Sequence, residues 1–185
     1  VLVGFAAFLS AVFFAAAVVE ARPEYVITIS VDGLGSSYLQ SLINADQTPN
    51  FARFQTEGAW TNNARTDYDI TVTLPNHVTM VTGRGILGTA GHNWTGNSDP
   101  AVNQTLHSNK GSYVASAFDV AHDHGLRTGM FATKTKFSLF DTSYNAVNGD
   151  PDLMGPDNGR DKLDAYAYNA SSLAVANSFI SAMTL

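Results

Sequence analysis

The sequence contains no cysteine. Disulfides are excluded, and so is zinc held by thiolates. Any metal must be held by Asp, His, Thr, Ser, Asn or backbone oxygen. Charge is also sparse: 14% of the residues are charged and 45% are hydrophobic, which excludes a disordered chain and leaves material for a core. Basic residues are few, 10 Lys and Arg against 16 Asp and Glu, for a net charge of -6. That balance argues against a nucleic acid duplex as partner, because phosphate backbones need clustered cations. A local metal site would still attract a small phosphorylated substrate. No internal repeat occurs and no low-complexity linker follows residue 24, so the 185 residues suit one domain plus a targeting segment.

The first charged residue is Glu20. The uncharged run before it is long enough to span a bilayer. Its alanine richness and the small-residue exit around Val19 and Ala21 instead suit a signal peptide, although the positively charged start usual for one is missing. Residues 1–21 are therefore expected to be a signal peptide or a membrane anchor. The product would be secreted or periplasmic, with a membrane reached only through such an anchor.

Beyond that segment the punctuation implies alternating strands and helices. "YVITISVDG" (25–33) is apolar and β-branched, the pattern of a buried strand in a parallel sheet, with Asp32 at its carboxyl end. "SSYLQSLINA" reads as a short helix. "TPNFARFQTEG" (48–58) has Thr48 to cap, Pro49 for the first turn and Gly58 for a left-handed exit, with Phe51 and Phe54 on one face. "GAWTNNA" leads into a second extended stretch. A helix is expected over 74–81, followed by a flexible loop with Gly83, Gly85, Gly88 and Gly91. Residues 112–125 read as a helix, 127–133 as a strand, and 162–183 as a long helix with Tyr166, Leu173 and Ile180 on one stripe. Such alternation implies α/β architecture with a largely parallel sheet.

Three residues could carry chemistry. Asp32 ends an apolar strand, where ligands bind in open α/β sheets, although Asp-Gly is also a common turn. Thr73 opens a helix, where its hydroxyl could simply cap. The same position presents free N–H groups and the positive dipole end to an anion such as phosphate. An alkoxide there needs help, which a bound metal ion can provide. Asn93 follows Gly91-His92, and its amide could donate to a phosphoryl oxygen. It is equally a turn residue or, in "NWT", a glycan acceptor; "NQT" (103–105) and "NAS" (169–171) are further sequons. His122 and His124 in "HDHG" point apart at i, i+2 and read as a solvated helix end rather than a metal site. His77 could be a packed or hydrogen-bonded helix residue.

In order, "ITISVDGLGSSYL", "TPNFARFQTEG", "TVTLPNHVTMVTG" and "GHNW" resemble the type I phosphodiesterase/nucleotide pyrophosphatase family of the alkaline phosphatase superfamily. The likeness runs on through "AFDVAHDHGLRTGMFATKTKF". It implies a three-layer α/β/α sandwich around a mostly parallel sheet, and two divalent metal ions, usually zinc. It makes Asp32 the first metal-ligand aspartate, Thr73 the nucleophile and a metal contact, and Asn93 the amide that steadies a phosphoryl oxygen. It places Thr73 opposite Asp32 at the carboxyl edge of the sheet. The partner would be a small phosphorylated substrate such as a nucleotide or phosphodiester.

The loop from Thr82 to Asn93 is slightly shorter than usual in that family. The family's later Asp and His ligands have no counterpart between Lys136 and Leu185. Residues 22–185 are thus expected to be the N-terminal part of a catalytic domain, apparently truncated. The expected activity is metal-dependent hydrolysis of phosphodiester or phosphoanhydride bonds through a covalent phosphothreonine. The alternatives are a phosphomonoesterase or sulfatase-like relative, or a catalytically incomplete fragment or binding domain.

Overall fold

The computed structural model describes residues 25–183. The expected signal peptide lies outside them. Among the described residues no helix is long and apolar enough to cross a membrane. The chain divides into two units, residues 1–34 and 35–185.

In the first unit, residues 25–31 belong to no strand and are exposed, which corrects the expected buried strand. The β-branched run favours an extended backbone, but a strand also needs neighbours that take its N–H and C=O groups. Asp32 and Gly33 form a turn, with Gly33 at φ 78° and the Leu34 N–H directed at the Val31 carbonyl oxygen at 3.4 Å.

The second unit begins with helices α1 (Ser36–Asn44) and α2 (Pro49–Glu57), which pack together. Pro49 opens α2 as its sequence implies. Gly58 is not left-handed, however; it ends α2 in extended conformation at φ -126°. Phe51 and Phe54 do share a face, with ring centroids 6.5 Å apart. The extended stretch expected after α2 forms no strand.

Helix α3 (Thr73–Thr82) buries Leu74 and Val78 at i, i+4 and closes on Gly83, whose φ of 65° needs a glycine-like freedom. It packs against α5 (Ala117–Asp123). The short α4 (Leu106–Lys110) lies between them in sequence. Helix α5 begins five residues later than the apolar pattern suggested. Ser116 and Asp119 form a capping box there, which fixes the helix start.

Strand β1 (Gly129–Ala132) is followed by a 3-10 turn (Thr135–Phe137) and α6 (Ser138–Tyr144). Residues 165–168 form strand β2 (Ala165–Tyr168), parallel to β1 with Gly129 opposite Ala165 and Ala132 opposite Tyr168. This corrects the long helix expected over 162–183, which is confined to α7 (Ser172–Met183). "AYAY" has the period of two that a strand needs, and β1 supplies the ladder. Leu173 and Ile180 are exposed on α7, so the expected apolar stripe is not a core face.

The fold class is α/β. The core of the second unit joins α3 to α6 through Leu74, Val78, Trp94, Leu139, Phe140 and Tyr144.

Candidate active site at the start of helix α3

The start of α3 is built by Asn76, Asn97 and His77, and of these the sequence alone singled out His77. Asn76 is buried in the first turn. Its amide donates to the carbonyl oxygens of Ile70 and Val72 at 2.7 and 2.8 Å and accepts the Asp67 N–H at 2.9 Å. Asp67 in turn accepts the N–H groups of Asp69 and Ile70 at 3.0 and 2.9 Å. The loop that delivers Thr73 is therefore tied backwards onto the helix it enters.

Thr73 is half-buried and is the first helical residue, not the N-cap, which is Val72. Valine has no hydroxyl with which to cap. The Leu74 N–H, one of the unpaired donors of a helix start, is instead accepted by Asn97 Oδ1 at 2.9 Å. Lys136 Nζ lies 3.2 Å from the same oxygen and also donates to the Asn97 carbonyl. Pro75 fits here because a first-turn residue needs no N–H donor.

His77 Nδ1 lies 2.8 Å from the Thr73 carbonyl oxygen, so Nδ1 carries the proton. The ring packs on Phe137 with centroids 4.8 Å apart. The hydrogen-bonded, packed role expected for His77 is the one observed.

The segment after the glycine loop returns along α3. His92 is fully buried. Its Nδ1 accepts the Trp94 N–H at 3.1 Å, so Nε2 bears the proton and donates to Thr79 Oγ1 at 3.1 Å. Burial pushes the His92 pKa down to about 4, against smaller opposing effects from the Pro75 carbonyl and Asp67. Asn93 is half-buried in left-handed conformation at φ 59°. Its N–H donates to the Ile86 carbonyl at 2.7 Å, and its carbonyl accepts from Asn109 Nδ2 at 2.9 Å. Lys110 Nζ holds the preceding loop through the Gly88 and Thr89 carbonyls at 3.1 and 2.8 Å. Four residues beyond Asn93, Asn97 reaches the first turn of α3.

Asp32 is exposed at its Asp-Gly turn in the first unit. Thr73, Asn93 and Asn97 all belong to the second. Among the described residues the histidines of "HDHG" belong to no group of side chains that could hold a metal ion. His124 Nδ1 donates to the Val120 carbonyl at 2.8 Å. His122 is not a solvated helix end, because its two nitrogens lie 3.0 and 3.1 Å from carboxylate oxygens of Asp157 and Asp164. Lys162, buried, reaches the same Asp157 oxygen at 2.8 Å and holds that carboxyl below its ordinary pKa, with His122 adding to the effect.

Among the described residues no group of three or more His, Asp or Glu side chains could hold a metal ion. Asp32 and Thr73 offer two oxygen donors, where a zinc ion takes about four ligands. The described residues do not by themselves make a two-metal centre.

A family model described as type I phosphodiesterase / nucleotide pyrophosphatase matches residues 26–158. Neither a curated protein nor a solved structure matches the chain. The matched span is well over half of the sequence and takes in Asp32, Thr73, Asn93, Asn97 and Lys136. The chain belongs to the type I phosphodiesterase/nucleotide pyrophosphatase family, whose members are hydrolases of phosphodiester and pyrophosphate bonds.

Proposed function

We propose that Thr73 is the nucleophile of a phosphodiester or phosphoanhydride hydrolase acting on small substrates such as nucleotides. The observation that carries this reading is the placement of Thr73 as the first residue of α3, with the cap supplied by Asn97 rather than by the threonine's own segment. The N–H groups and dipole of a helix start favour a phosphoryl anion at that point. In this reading Thr73 Oγ forms a bond to phosphorus as the bond to the leaving oxygen breaks. The electron pair departs with the leaving group, and the hydroxyl proton passes to water. Water then hydrolyses the phosphothreonine.

Asn93 is the amide donor that the family resemblance suggests. Asn97 is a second candidate for that role, favoured by its hydrogen bond to the residue after Thr73. Dependence on two divalent metal ions, zinc being the usual choice, and a ligand role for Asp32 and Thr73 rest on the same resemblance. A signal peptide over 1–21 and an extracytoplasmic location belong to the proposal as well, and N-terminal sequencing of the mature protein tests them.

The nucleophile is tested by incubating the enzyme with an aryl phosphodiester, quenching in acid and mapping any phosphorylated peptide by mass spectrometry. The phosphoryl group is expected on Thr73, and Thr73→Ala is expected to abolish turnover. Turnover retained by Thr73→Ala sinks the assignment.

A further inference from the structure

We propose that Lys136 is a positioning residue for Thr73, acting through Asn97. The inference rests on the reading of Thr73 as nucleophile and adds a residue that chain order does not suggest. Lys136 lies in the 3-10 turn at the carboxyl end of β1, whereas Asn97 follows the glycine loop. The two meet because both lie against the start of α3. Asn97 Oδ1 takes the Leu74 N–H at 2.9 Å and the Lys136 ammonium at 3.2 Å, and the ammonium also donates to the Asn97 carbonyl.

The turn that carries Lys136 is fastened on both sides. Thr135 Oγ1 lies 2.9 Å from each carboxylate oxygen of Asp99, two residues beyond Asn97. Phe137 is buried against His77, whose ring is bonded to the Thr73 carbonyl. The ammonium is therefore delivered by a held backbone and not by a free surface stem. Both of its acceptors belong to one residue, so it fixes which end of the Asn97 amide faces α3. Loss of the ammonium frees that amide to turn, removes the acceptor from Leu74 and lets Thr73 fray with the first turn.

The placement is not one that helix stability alone favours. A cation beside a helix start opposes the macrodipole. The same arrangement suits an anionic group arriving at Thr73, because cation and helix start then act together.

The test reads the first turn directly. Amide exchange is followed by NMR on the isotopically labelled full chain. Lys136→Gln and Asn97→Leu are expected to speed exchange at Leu74 about fivefold, the size of a lost cap, relative to Val78 in the same helix. Lys136→Arg keeps donors, and Asn97→Asp keeps the acceptor; both should stay within about twofold of wild type. Lys136→Gln should also average the three-bond couplings that report the Thr73 side-chain rotamer. Unchanged Leu74 exchange in Lys136→Gln, or equal acceleration at Leu74 and Val78, overturns the proposal.

Should Lys136→Gln fail to fold, the wild-type ammonium decides the matter. A held Lys136 shows slowed exchange of its Nζ protons, and exchange as fast as that of free lysine overturns the proposal. Turnover of an aryl phosphodiester is a separate arm. Lys136→Gln should lower kcat about tenfold with KM within about twofold. Activity retained by Thr73→Ala defeats the nucleophile reading, while the exchange data judge the Lys136–Asn97 link independently.

Discussion

His92 Nε2 donates to Thr79 Oγ1 at 3.1 Å, joining the glycine loop to the middle of α3 through a fully buried, neutral imidazole. Thr79 passes the chain of bonds on to the Pro75 carbonyl at 3.3 Å. Asn93 and Asn97 both follow this anchor in sequence. The histidine thus fastens the asparagine segment to the middle of α3, beside the direct bond from the Leu74 N–H to Asn97 Oδ1 at its start.

That histidine makes stability depend on pH. Its folded pKa, about 4, lies below the ordinary 6.5, so the unfolded chain binds the proton more readily. The contribution of neutral His92 is present above about pH 6.5 and is lost as pH falls towards 4. His107 is shifted in the same direction by burial, with Nδ1 accepting the Val114 N–H at 3.0 Å, and adds to the effect. Urea midpoints measured between pH 4 and 7 should fall with acidity, with His92 contributing on the order of 3 kcal/mol. His92→Gln should show a shallower pH slope than wild type; an equal slope would remove His92 as the cause.

Asn76 is the strongest test of how Thr73 is delivered. Its amide satisfies two carbonyls and one N–H of the preceding loop. Asn76→Ala leaves those groups without their partner and opens a small void. A loss of about 2–4 kcal/mol is expected in chemical denaturation. Asn76→Asp keeps the acceptor but loses both donors, so it should not restore stability. Full restoration by Asp would show that the two carbonyl bonds contribute little.

Phe137 ties the 3-10 turn to α3. Its ring lies 4.8 Å from that of His77 and 6.1 Å from that of Phe140, measured between centroids. Phe137→Ala should cost about 3–4 kcal/mol in stability, as truncation of a buried aromatic generally does. Phe137→Leu should recover most of that loss. Thermal unfolding of the two variants side by side gives the answer, and equal midpoints for Ala and wild type would mean the ring is not packed there.

Gly155 adopts φ 87°, and a Cβ built on it would overlap the Asp123 carboxylate. That carboxylate accepts the Asp157 N–H at 3.0 Å. Gly155→Ala should therefore destabilise by about 1–3 kcal/mol through backbone strain and displacement of Asp123. Adding Asp123→Ala relieves the overlap but not the strain, so the double variant should recover only part of the loss. Complete recovery would locate the whole effect in the overlap.

Some of the fold was readable from local chemistry. Ser36–Asn44 and Pro49–Glu57 form the two expected helices, and α3 extends one residue beyond each end of its expected range, within ordinary fraying. Thr73 at a helix start and Gly83 at its end follow from proline and glycine geometry, which act within one turn. The absence of cysteine likewise excluded disulfides without any structure.

Other features needed the tertiary structure because their causes lie far apart in sequence. "AYAY" becomes β2 because β1 pairs with it, a partner some 36 residues away that no local window contains. The run at 25–31 shows the converse: strand-forming residues do not make a strand without a ladder. Asn97 reaches Leu74 across 23 residues and Lys136 reaches Asn97 across 39. Local propensity sets which backbone each segment prefers. Which side chain meets the start of α3 is decided only when the returning segment and the 3-10 turn pack against it, because hydrogen bonds of about 3 Å demand final coordinates.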